Sequence, residues 1–306
     1  MISIIICSKR PAITDELKNN IRDSIGVPYE LIVLDNSANA FSILSAYNKG
    51  IELSQYPNLC FVHEDISFLT VDWGKLVCRH LEDPSCGLIG LSGSPYQPGI
   101  PASWSLYGKT TYLLQSDKGH KKPKLMASSG YDKNHEKQVI GLDGMFLCAR
   151  KALFEQIRFD EVTFKGFHAY DLDISMQAYV KGFRNKAIND ILLVHYSKGH
   201  HDEKWVASIL LFCAKWHEQL PASLIAIPDK EIRQVEYQYM TRVFLKNLIR
   251  SGYSNETCKQ IFKTYMGHNE VLAVELSRFG FWSKMTWMRL KKKPITLIFP
   301  RKTTTF

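Results

Sequence analysis

Residues 2–7 read Ile2-Ser3-Ile4-Ile5-Ile6-Cys7, a nearly unbroken apolar run. Such a run predicts a β-strand buried on both faces, because a strand with one exposed face would alternate apolar and polar residues. Beyond it, apolar residues recur in steps of four, at Ile13, Leu17, Ile21 and Ile25. This spacing places the four side chains on one face of a helix, which Gly26 is expected to end. The chain therefore opens with a strand followed by a helix.

The same alternation continues over the first two hundred residues. Further buried strands are predicted at residues 30–34, 59–62, 87–91 and 191–194, and residues 145–149 form another apolar run. Helical spacing separates them, at residues 43–51, 73–80, 151–157 and 172–182. This order predicts an α/β fold, with a mostly parallel sheet flanked by helices.

Two regions depart from the alternation. Residues 92–139 hold prolines, glycines and charges with little periodicity, which is typical of a functional loop or a small β-rich excursion over a site. After about residue 199 the pattern is helical, with helices predicted at 205–220, 232–249 and 256–266. We therefore expect two domains, residues 1–200 with the sheet and residues 201–306 with a helical region.

Composition narrows the class of protein. The chain has 306 residues, a net charge of +9 and 45% hydrophobic residues, which excludes wholesale disorder, collagen and coiled coil. No apolar run approaches the ~20 residues of a membrane-spanning helix, and the opening run is too short for a signal peptide. The seven scattered cysteines suit reduced core thiols. We expect a cytoplasmic protein.

The positive charge is concentrated in residues 276–306, which hold eight bases and no acid among large aromatic residues. Three explanations are open: a solvated tail, an interfacial segment on an anionic membrane, or a nucleic-acid arm. Trp and Phe beside cations favour the membrane, and no nucleic-acid motif accompanies them. We expect a peripheral position at the inner face of the plasma membrane and no nucleic-acid partner.

Polar residues follow three buried strands at the point where each strand ends. They are Ser8 and Arg10 after the first strand, Asp35 and Asn36 after the second, and His63, Glu64 and Asp65 after the third. In parallel sheets, ligands bind beyond the carboxyl ends of the strands. The sequence therefore predicts a binding site at this edge, although polar loops are common without one.

Three groups of residues could carry chemistry. Glu64 and Asp65 are adjacent acids, and a divalent metal bridging them to phosphate would relieve their repulsion; the alternative is a solvated acidic loop. Asp171 and Asp173 lie in the first turn of a predicted helix, as caps or with one of them as a general base. His195 ends a strand, where it is either a metal ligand or structural.

These segments, taken in order, resemble a GT-A-fold glycosyltransferase, with its Rossmann-like sheet, close to the family-2-like enzymes of bacterial surface-polysaccharide loci. Residues 2–10 are similar to the opening strand and nucleotide-contacting loop, and residues 31–37 to the second strand. Residues 48–50 with 61–65 resemble the "N-x-G … D-x-D" region. Residues 159–161, 170–173 and 182–183 resemble the acceptor-side "E-D-x-D" helix.

The resemblance implies a role for each matched residue. The residues expected to bind the nucleotide sugar are Ser8, Arg10, Asp35, Asn36, Asn48, His63 and Glu64. Asp65 would hold Mn²⁺ or Mg²⁺, with His195 as a further ligand, and Asp171 would be the catalytic base. The acceptor would contact Asp143, Gly144, His168 and Trp104. Two positions depart from the family pattern: His63 replaces the first Asp of D-x-D, and Tyr170 replaces a Glu.

The implied activity is transfer of a sugar from a nucleoside diphosphate sugar to a hydroxyl of a glycan or lipid-linked acceptor, metal-dependent and with inversion. Two alternatives remain open. One is a nucleotidyltransferase, although no Gly-rich loop with a Lys follows the first strand. The other is a non-catalytic GT-A-like scaffold at the membrane surface.

Overall fold

The computed structural model describes residues 1–116, 122–197, 199 and 201–267. The chain forms two compact units. The first comprises Met1–His200 and Ser208–Ile227, and the second comprises His201–Ala207 and Pro228–Phe306. Residues 208–227, which the sequence assigns to the C-terminal region, thus belong with the first unit. The basic aromatic tail at residues 276–306 lies outside the described residues.

The described residues form fifteen β-strands and eight α-helices. The strands are β1 (Ile2–Ser8), β2 (Tyr29–Asp35), β3 (Asn58–Val62), β4 (Ile66–Phe68), β5 (Cys86–Gly90), β6 (Ser92–Ser94), β7 (Tyr96–Gln97), β8 (Thr110–Gln115), β9 (Lys124–Ala127), β10 (Glu136–Val139), β11 (Gly141–Leu142), β12 (Phe146–Arg150), β13 (Arg184–Ile188), β14 (Leu193–His195) and β15 (Ala222–Ser223). The helices are α1 (Asp15–Ser24), α2 (Ile43–Leu53), α3 (Trp73–His80), α4 (Tyr170–Val180), α5 (Glu203–Lys215), α6 (Asp229–Tyr239), α7 (Leu245–Arg250) and α8 (Asn255–Met266).

The main sheet has seven strands in the order β10-β13-β5-β12-β3-β1-β2. The predicted α/β fold, a sheet flanked by helices, is confirmed. The sheet is mostly parallel, as predicted, but not purely so, because β12 runs antiparallel to both β3 and β5, and β10 runs antiparallel to β13. The excursion before β12 returns the chain to the edge where β3 ends, with Phe146 opposite Val62. A strand that starts at that edge can pair with β3 only in the antiparallel sense.

The first strand is buried on both faces, as predicted, and each face packs against its own helices. Ile4 and Ile6 belong to a core with residues of α1 and α3. Ile5 faces α2, where Gly50 allows a close approach: a Cβ atom at Gly50 would lie 2.3 Å from Cγ2 of Ile5. The sheet is therefore a layer between helices, which fixes the edge where β1, β2 and β3 end.

A smaller sheet, with the order β11-β6-β8-β14-β4 and β9 paired with β8, includes three strands of the excursion, β6, β8 and β9. The prediction of a β-rich excursion at residues 92–139 is therefore confirmed. Its β4–β14 pair is antiparallel and sets His195 opposite Ile66, the residue after Asp65. This pairing brings the end of the last predicted strand to the loop that follows β3.

The described part of the second unit is helical, as the sequence predicts. A π-helical turn at Met240–Phe244 joins α6 to α7. Phe244, Leu248, Cys258 and Phe262 are buried there. No helix among the described residues is long and apolar enough to cross a membrane.

Candidate active site

The polar residues predicted at the strand ends meet at one edge of the sheet. β1 pairs with β2 in parallel register, with Ser8 beside Asp35, and β3 lies on the other side of β1. Glu64 follows β3 and turns toward β1. Its carboxylate accepts hydrogen bonds from the Ser8 hydroxyl at 2.6 Å and from the backbone N–H of Lys9 at 3.3 Å. Glu64 thus holds the loop that follows β1.

The residues predicted to contact the nucleoside differ in their surroundings. Arg10 and Asp35 are exposed. Hydrogen bonding to Ser37 lowers the pKa of Asp35, so this carboxylate is ionised at neutral pH. Asn36 bonds the backbone N–H and C=O of Phe41 at 2.8 and 2.9 Å. Its side chain therefore shapes the loop after β2.

Asn48 is buried in α2, with 6% of its surface exposed. Its amide nitrogen donates to the carbonyl oxygen of Phe159 at 2.8 Å and lies 3.3 Å from the Glu161 carboxylate. These contacts join α2 to residues 159–161, which the sequence places in the acceptor-side pattern. The contacts are structural, and the role of Asn48 in nucleotide binding stays a prediction.

His63, Asp65 and His195 form a cluster of metal-ligating side chains. One ligand atom from each residue lies within 4.8 Å of the other two. Nδ1 of His63 is 3.9 Å, and Nε2 of His195 is 3.7 Å, from Oδ1 of Asp65. The sequence names Asp65 and His195 as ligands, and the structure adds His63, which the resemblance assigns to nucleotide binding.

The His63 imidazole is suited to bind a cation. Burial, together with the neighbouring His195, lowers the pKa of His63, so the ring is neutral at pH 7. A neutral ring nitrogen is the form that ligates metal. Two imidazole rings and one carboxylate, all partly accessible to solvent, fit a divalent cation.

Asp171 lies in the first turn of α4, beside the turn at residues 143–144. Its carboxylate accepts hydrogen bonds from the backbone N–H of Gly144 at 3.1 Å and from that of Leu172 at 2.9 Å. Burial, and next the negative charge of Asp143, raises the pKa of Asp171 to about 7. A carboxylate whose pKa lies near neutral pH is suited to general base catalysis.

The neighbouring Asp173 is fully buried and has a structural role. It accepts hydrogen bonds from the indole N–H of Trp216 at 2.8 Å and from Gln177 at 2.8 Å, and Nζ of Lys215 lies 2.7 Å away. These partners hold both carboxylate oxygens inside the protein. Of the two acids that the sequence leaves open as the base, Asp171 is therefore the one positioned for it.

The backbone before α4 is strained. Ala169 has φ of 65°, a left-handed conformation that non-glycine residues rarely adopt and that often marks functional sites. His168 precedes it, half-buried, with its ring centre 6.1 Å from that of Phe167. The acceptor contact assigned to His168 stays a prediction.

A cleft of about 470 Å³ adjoins the metal cluster, since His195 of the cluster lines it. Asp143 also lines this cleft. Trp104 also lines the cleft, and Nζ of Lys109 lies 5.5 Å from the centre of its indole ring. Lys122 and Lys124 complete a group of three lysines in the lining. The predicted acceptor residues Asp143 and Trp104 thus share one cavity.

A larger groove of about 710 Å³ lies elsewhere in the first unit, along β10 and β13. Several of its charged side chains are paired with one another: Lys186 with Glu136 at 2.8 Å, and Arg184 with Asp83 at 2.8 Å. Mutually neutralised charges of this kind indicate a structural network. The smaller cleft, next to the metal cluster and the base, is the better candidate site.

Comparison with known proteins gives a family for the chain. The model of the "glycosyltransferase like family" matches residues 3–215, which include all of the predicted site residues. The chain belongs to this glycosyltransferase-like family. The resemblance to family-2-like glycosyltransferases is thereby confirmed. No curated protein sequence matches the chain.

Solved structures similar to this glycosyltransferase-like chain include three glycosyltransferases. Mannosyltransferase PcManGT from Pyrobaculum calidifontis, in complex with GDP-Man and Mn²⁺, is 12% identical, with 94% of this chain and 84% of that chain covered and a TM-score of 0.48. S. aureus TarS 1-349, in complex with UDP-GlcNAc, is 12% identical, with 93% and 78% covered and a TM-score of 0.42. GalNAc-T7 with UDP, GalNAc and Mn²⁺ is 11% identical, with 96% and 59% covered and a TM-score of 0.45. At 11–12% identity, these structures assign no role to any residue of this chain.

Some features of this glycosyltransferase-like site carry no clear signal in the sequence. The sequence marks Tyr170 only as a departure from the family pattern, yet its hydroxyl lies 2.7 Å from Nε2 of His63. The three lysines of the cleft lie in the aperiodic excursion at residues 92–139. In that segment, only the number of lysines in the sequence indicates a basic surface. No signal pointed to Lys215 and Trp216, which secure Asp173 from a distant helix.

Proposed function

We propose that this chain transfers a sugar from a nucleoside diphosphate sugar to a hydroxyl group of an acceptor, with inversion at the anomeric carbon. The main support for the proposal is that the metal cluster and the base are held by adjacent residues, Met145 and Gly144. The backbone N–H of His63 donates to the carbonyl of Met145 at 3.0 Å, and the N–H of Gly144 donates to Asp171. One short segment therefore contacts both groups.

The donor would bind at the edge where β1, β2 and β3 end. Arg10 offers a cation to phosphate, and the ionised Asp35 offers an acceptor for the ribose or base. Ser8, Glu64 and Asn36 hold the two loops in shape through the contacts described above. Since the carboxyl ends of neighbouring parallel strands make a ready binding crevice, this edge suits a nucleotide.

A divalent cation, Mn²⁺ or Mg²⁺, would be held by His63, Asp65 and His195 and would offset the negative charge that develops on the leaving diphosphate. Asp65 supplies the one negative charge of the cluster, so it is the ligand on which the site depends most. The imidazoles of His63 and His195 contribute nitrogen donors.

Asp171 would accept the proton of the acceptor hydroxyl as its oxygen attacks the anomeric carbon. The new bond joins the acceptor oxygen to that carbon, the bond to the diphosphate breaks, and the nucleoside diphosphate leaves. Attack opposite the leaving group inverts the configuration. Its pKa of about 7 lets Asp171 be ionised at neutral pH and yet hold the proton it receives.

The acceptor would occupy the cleft lined by Asp143 and Trp104. Asp143 can accept hydrogen bonds from sugar hydroxyls, and the Trp104 ring offers a face for a sugar. The three lysines of the cleft, Lys109, Lys122 and Lys124, form no ion pair within the described part of the chain. Their charge favours an acceptor that carries phosphate, which supports a lipid-linked acceptor over a neutral glycan.

We propose membrane association on sequence alone. Residues 276–306 would bind the anionic inner surface of the plasma membrane, where each Lys or Arg contributes about 1 kcal/mol. Cosedimentation of the full chain with phosphatidylglycerol vesicles, but not with phosphatidylcholine vesicles, is the expected result. Equal recovery with both vesicle types would contradict it.

The experiment for the main proposal is a screen of nucleotide sugars with and without Mn²⁺, with analysis of the released product. Release of a nucleoside diphosphate supports glycosyl transfer. Release of pyrophosphate from a nucleoside triphosphate supports the nucleotidyltransferase alternative. A non-catalytic scaffold would release neither and would show no metal-linked stabilisation by UDP or GDP.

A further inference from the structure

The two positions at which this chain departs from the family pattern are in contact. Nε2 of His63 and the hydroxyl oxygen of Tyr170 lie 2.7 Å apart, although 107 residues separate them in sequence. We propose that Tyr170 is a positioning residue that holds the His63 ring with Nδ1 toward the metal, and that the resulting nitrogen-rich site selects Mn²⁺ over Mg²⁺. The inference rests on the metal cluster of the proposed function.

Tyr170 is itself held rigidly. Only 4% of its surface is exposed, and its ring centre lies 5.7 Å from that of Tyr47 and 6.4 Å from that of Phe159. Gly144 leaves room for its hydroxyl, since a Cβ atom there would lie 2.1 Å from Oη of Tyr170. A hydroxyl fixed in this way can determine the orientation of a neighbouring imidazole.

The contact leaves Nδ1 of His63 as the ring nitrogen available to a cation. When Nε2–H donates to Tyr170, the lone pair of the neutral ring is on Nδ1. That atom lies 3.9 Å from Oδ1 of Asp65, on the side of the cluster that also holds His195. A hydrogen bond to the second nitrogen of a ligating histidine fixes both its tautomer and its orientation.

The choice of histidine also changes the donor atoms. A carboxylate at position 63 would give the site mostly oxygen donors, which Mg²⁺ prefers. The imidazoles of His63 and His195 with Asp65 make two nitrogen donors and one oxygen donor. Imidazole is typical of sites for first-row transition-metal ions, whereas Mg²⁺ is a hard cation that takes oxygen ligands, so replacing an oxygen donor by a nitrogen donor weakens Mg²⁺ binding more than Mn²⁺ binding. The paired His63 and Tyr170 thus determine which cation the site takes.

The test uses the full chain and Mn²⁺ alone, without a nucleotide sugar. Electron paramagnetic resonance gives the Kd of Mn²⁺, and the nitrogen couplings in electron spin echo modulation count the bound imidazoles. We expect couplings from two imidazoles in the wild-type chain and from one in His63→Asp. Tyr170→Phe keeps the ring and removes the hydroxyl, and it should weaken Mn²⁺ binding about tenfold or more.

Competition with Mg²⁺ measures the selectivity. The excess of Mg²⁺ that displaces half of the Mn²⁺ should be lower for His63→Asp than for the wild type. Tyr253→Phe, which removes a buried phenol hydroxyl in the second unit, is the matched control and should leave the Kd unchanged. Absence of nitrogen coupling in the wild type, or an unchanged Kd in Tyr170→Phe, would overturn the inference. Both readouts are independent of transfer, so a failure of the proposed activity would be seen separately.

Discussion

The carboxylate of Asp171 accepts a hydrogen bond from the backbone N–H of Gly144 at 3.1 Å. This contact ties the start of α4 to the loop between β11 and β12. The same loop bonds His63 through the carbonyl of Met145. The proposed base and one proposed metal ligand are therefore anchored to neighbouring residues of one segment, so their separation is fixed by the backbone.

Replacing the proposed base should remove turnover and leave donor binding intact. Asp171→Asn preserves the shape of the side chain but cannot take up the acceptor proton, so we expect kcat to fall by about 10²–10⁴-fold. Nucleotide-sugar affinity, measured by calorimetry, should stay within a factor of two or so. Asp15→Asn, at an exposed carboxylate on α1, is the control. Wild-type turnover in Asp171→Asn would show that the base is another residue.

Activity should depend on the ionisation of Asp171. Because the base must be unprotonated, kcat/KM is expected to rise with pH and to level off above about 7, the pKa to which burial and Asp143 raise this carboxyl. Asp143→Asn removes the nearby negative charge, so the rising limb should move to lower pH. The measurement is a pH profile of kcat/KM for both proteins. A limb that stays in place in Asp143→Asn would contradict this electrostatic coupling.

Metal-dependent nucleotide binding should require Asp65. Asp65→Ala removes the one carboxylate of the cluster, so Mn²⁺ should no longer enhance the stabilisation of the chain by UDP or GDP. Thermal-shift titration with each nucleotide, with and without Mn²⁺, is the measurement. Asp72→Ala, at a half-exposed carboxylate beside α3, serves as the control. A variant at Asp65 that keeps the full metal-dependent shift would place the metal elsewhere.

Asp173 should matter for stability. Asp173→Asn removes the buried charge that faces Lys215 and weakens the acceptor for the Trp216 indole. Because Lys215 keeps its ion pair with Asp160, we expect the free energy of unfolding to fall by about 3 kcal/mol, the lower part of the range for buried pairs. Urea denaturation measures the change. A loss below about 0.5 kcal/mol, as at an ordinary surface position, would refute the structural role.

Much of the fold could be predicted because its information is local. The burial of β1 on both faces follows from the apolar run at residues 2–7, and α1 from the four-residue steps that begin at Ile13. The direction of β12 could not be predicted, because it depends on the path of the excursion before it. An apolar run indicates a strand but not the edge at which the strand begins.

The candidate site likewise has some residues that the sequence indicates and others that it does not. Asp65 and His195 carry local signals, since each stands at the end of a predicted strand, and the structure brings them together through β4 and β14. The partner of His63 could not be found from sequence, because the contact with Tyr170 joins the end of β3 to the start of α4. Spacing along the chain holds no information about such a pair.

The central claim is that a metal-assisted displacement releases a nucleoside diphosphate at the edge where β3 ends. Its most direct test is quantification of nucleoside diphosphate released from each nucleotide sugar, with and without Mn²⁺, by the wild type and by Asp65→Ala. We predict Mn²⁺-dependent release from at least one donor by the wild type and little or none by the variant. Release that is equal in the two proteins, or independent of metal, would contradict the claim.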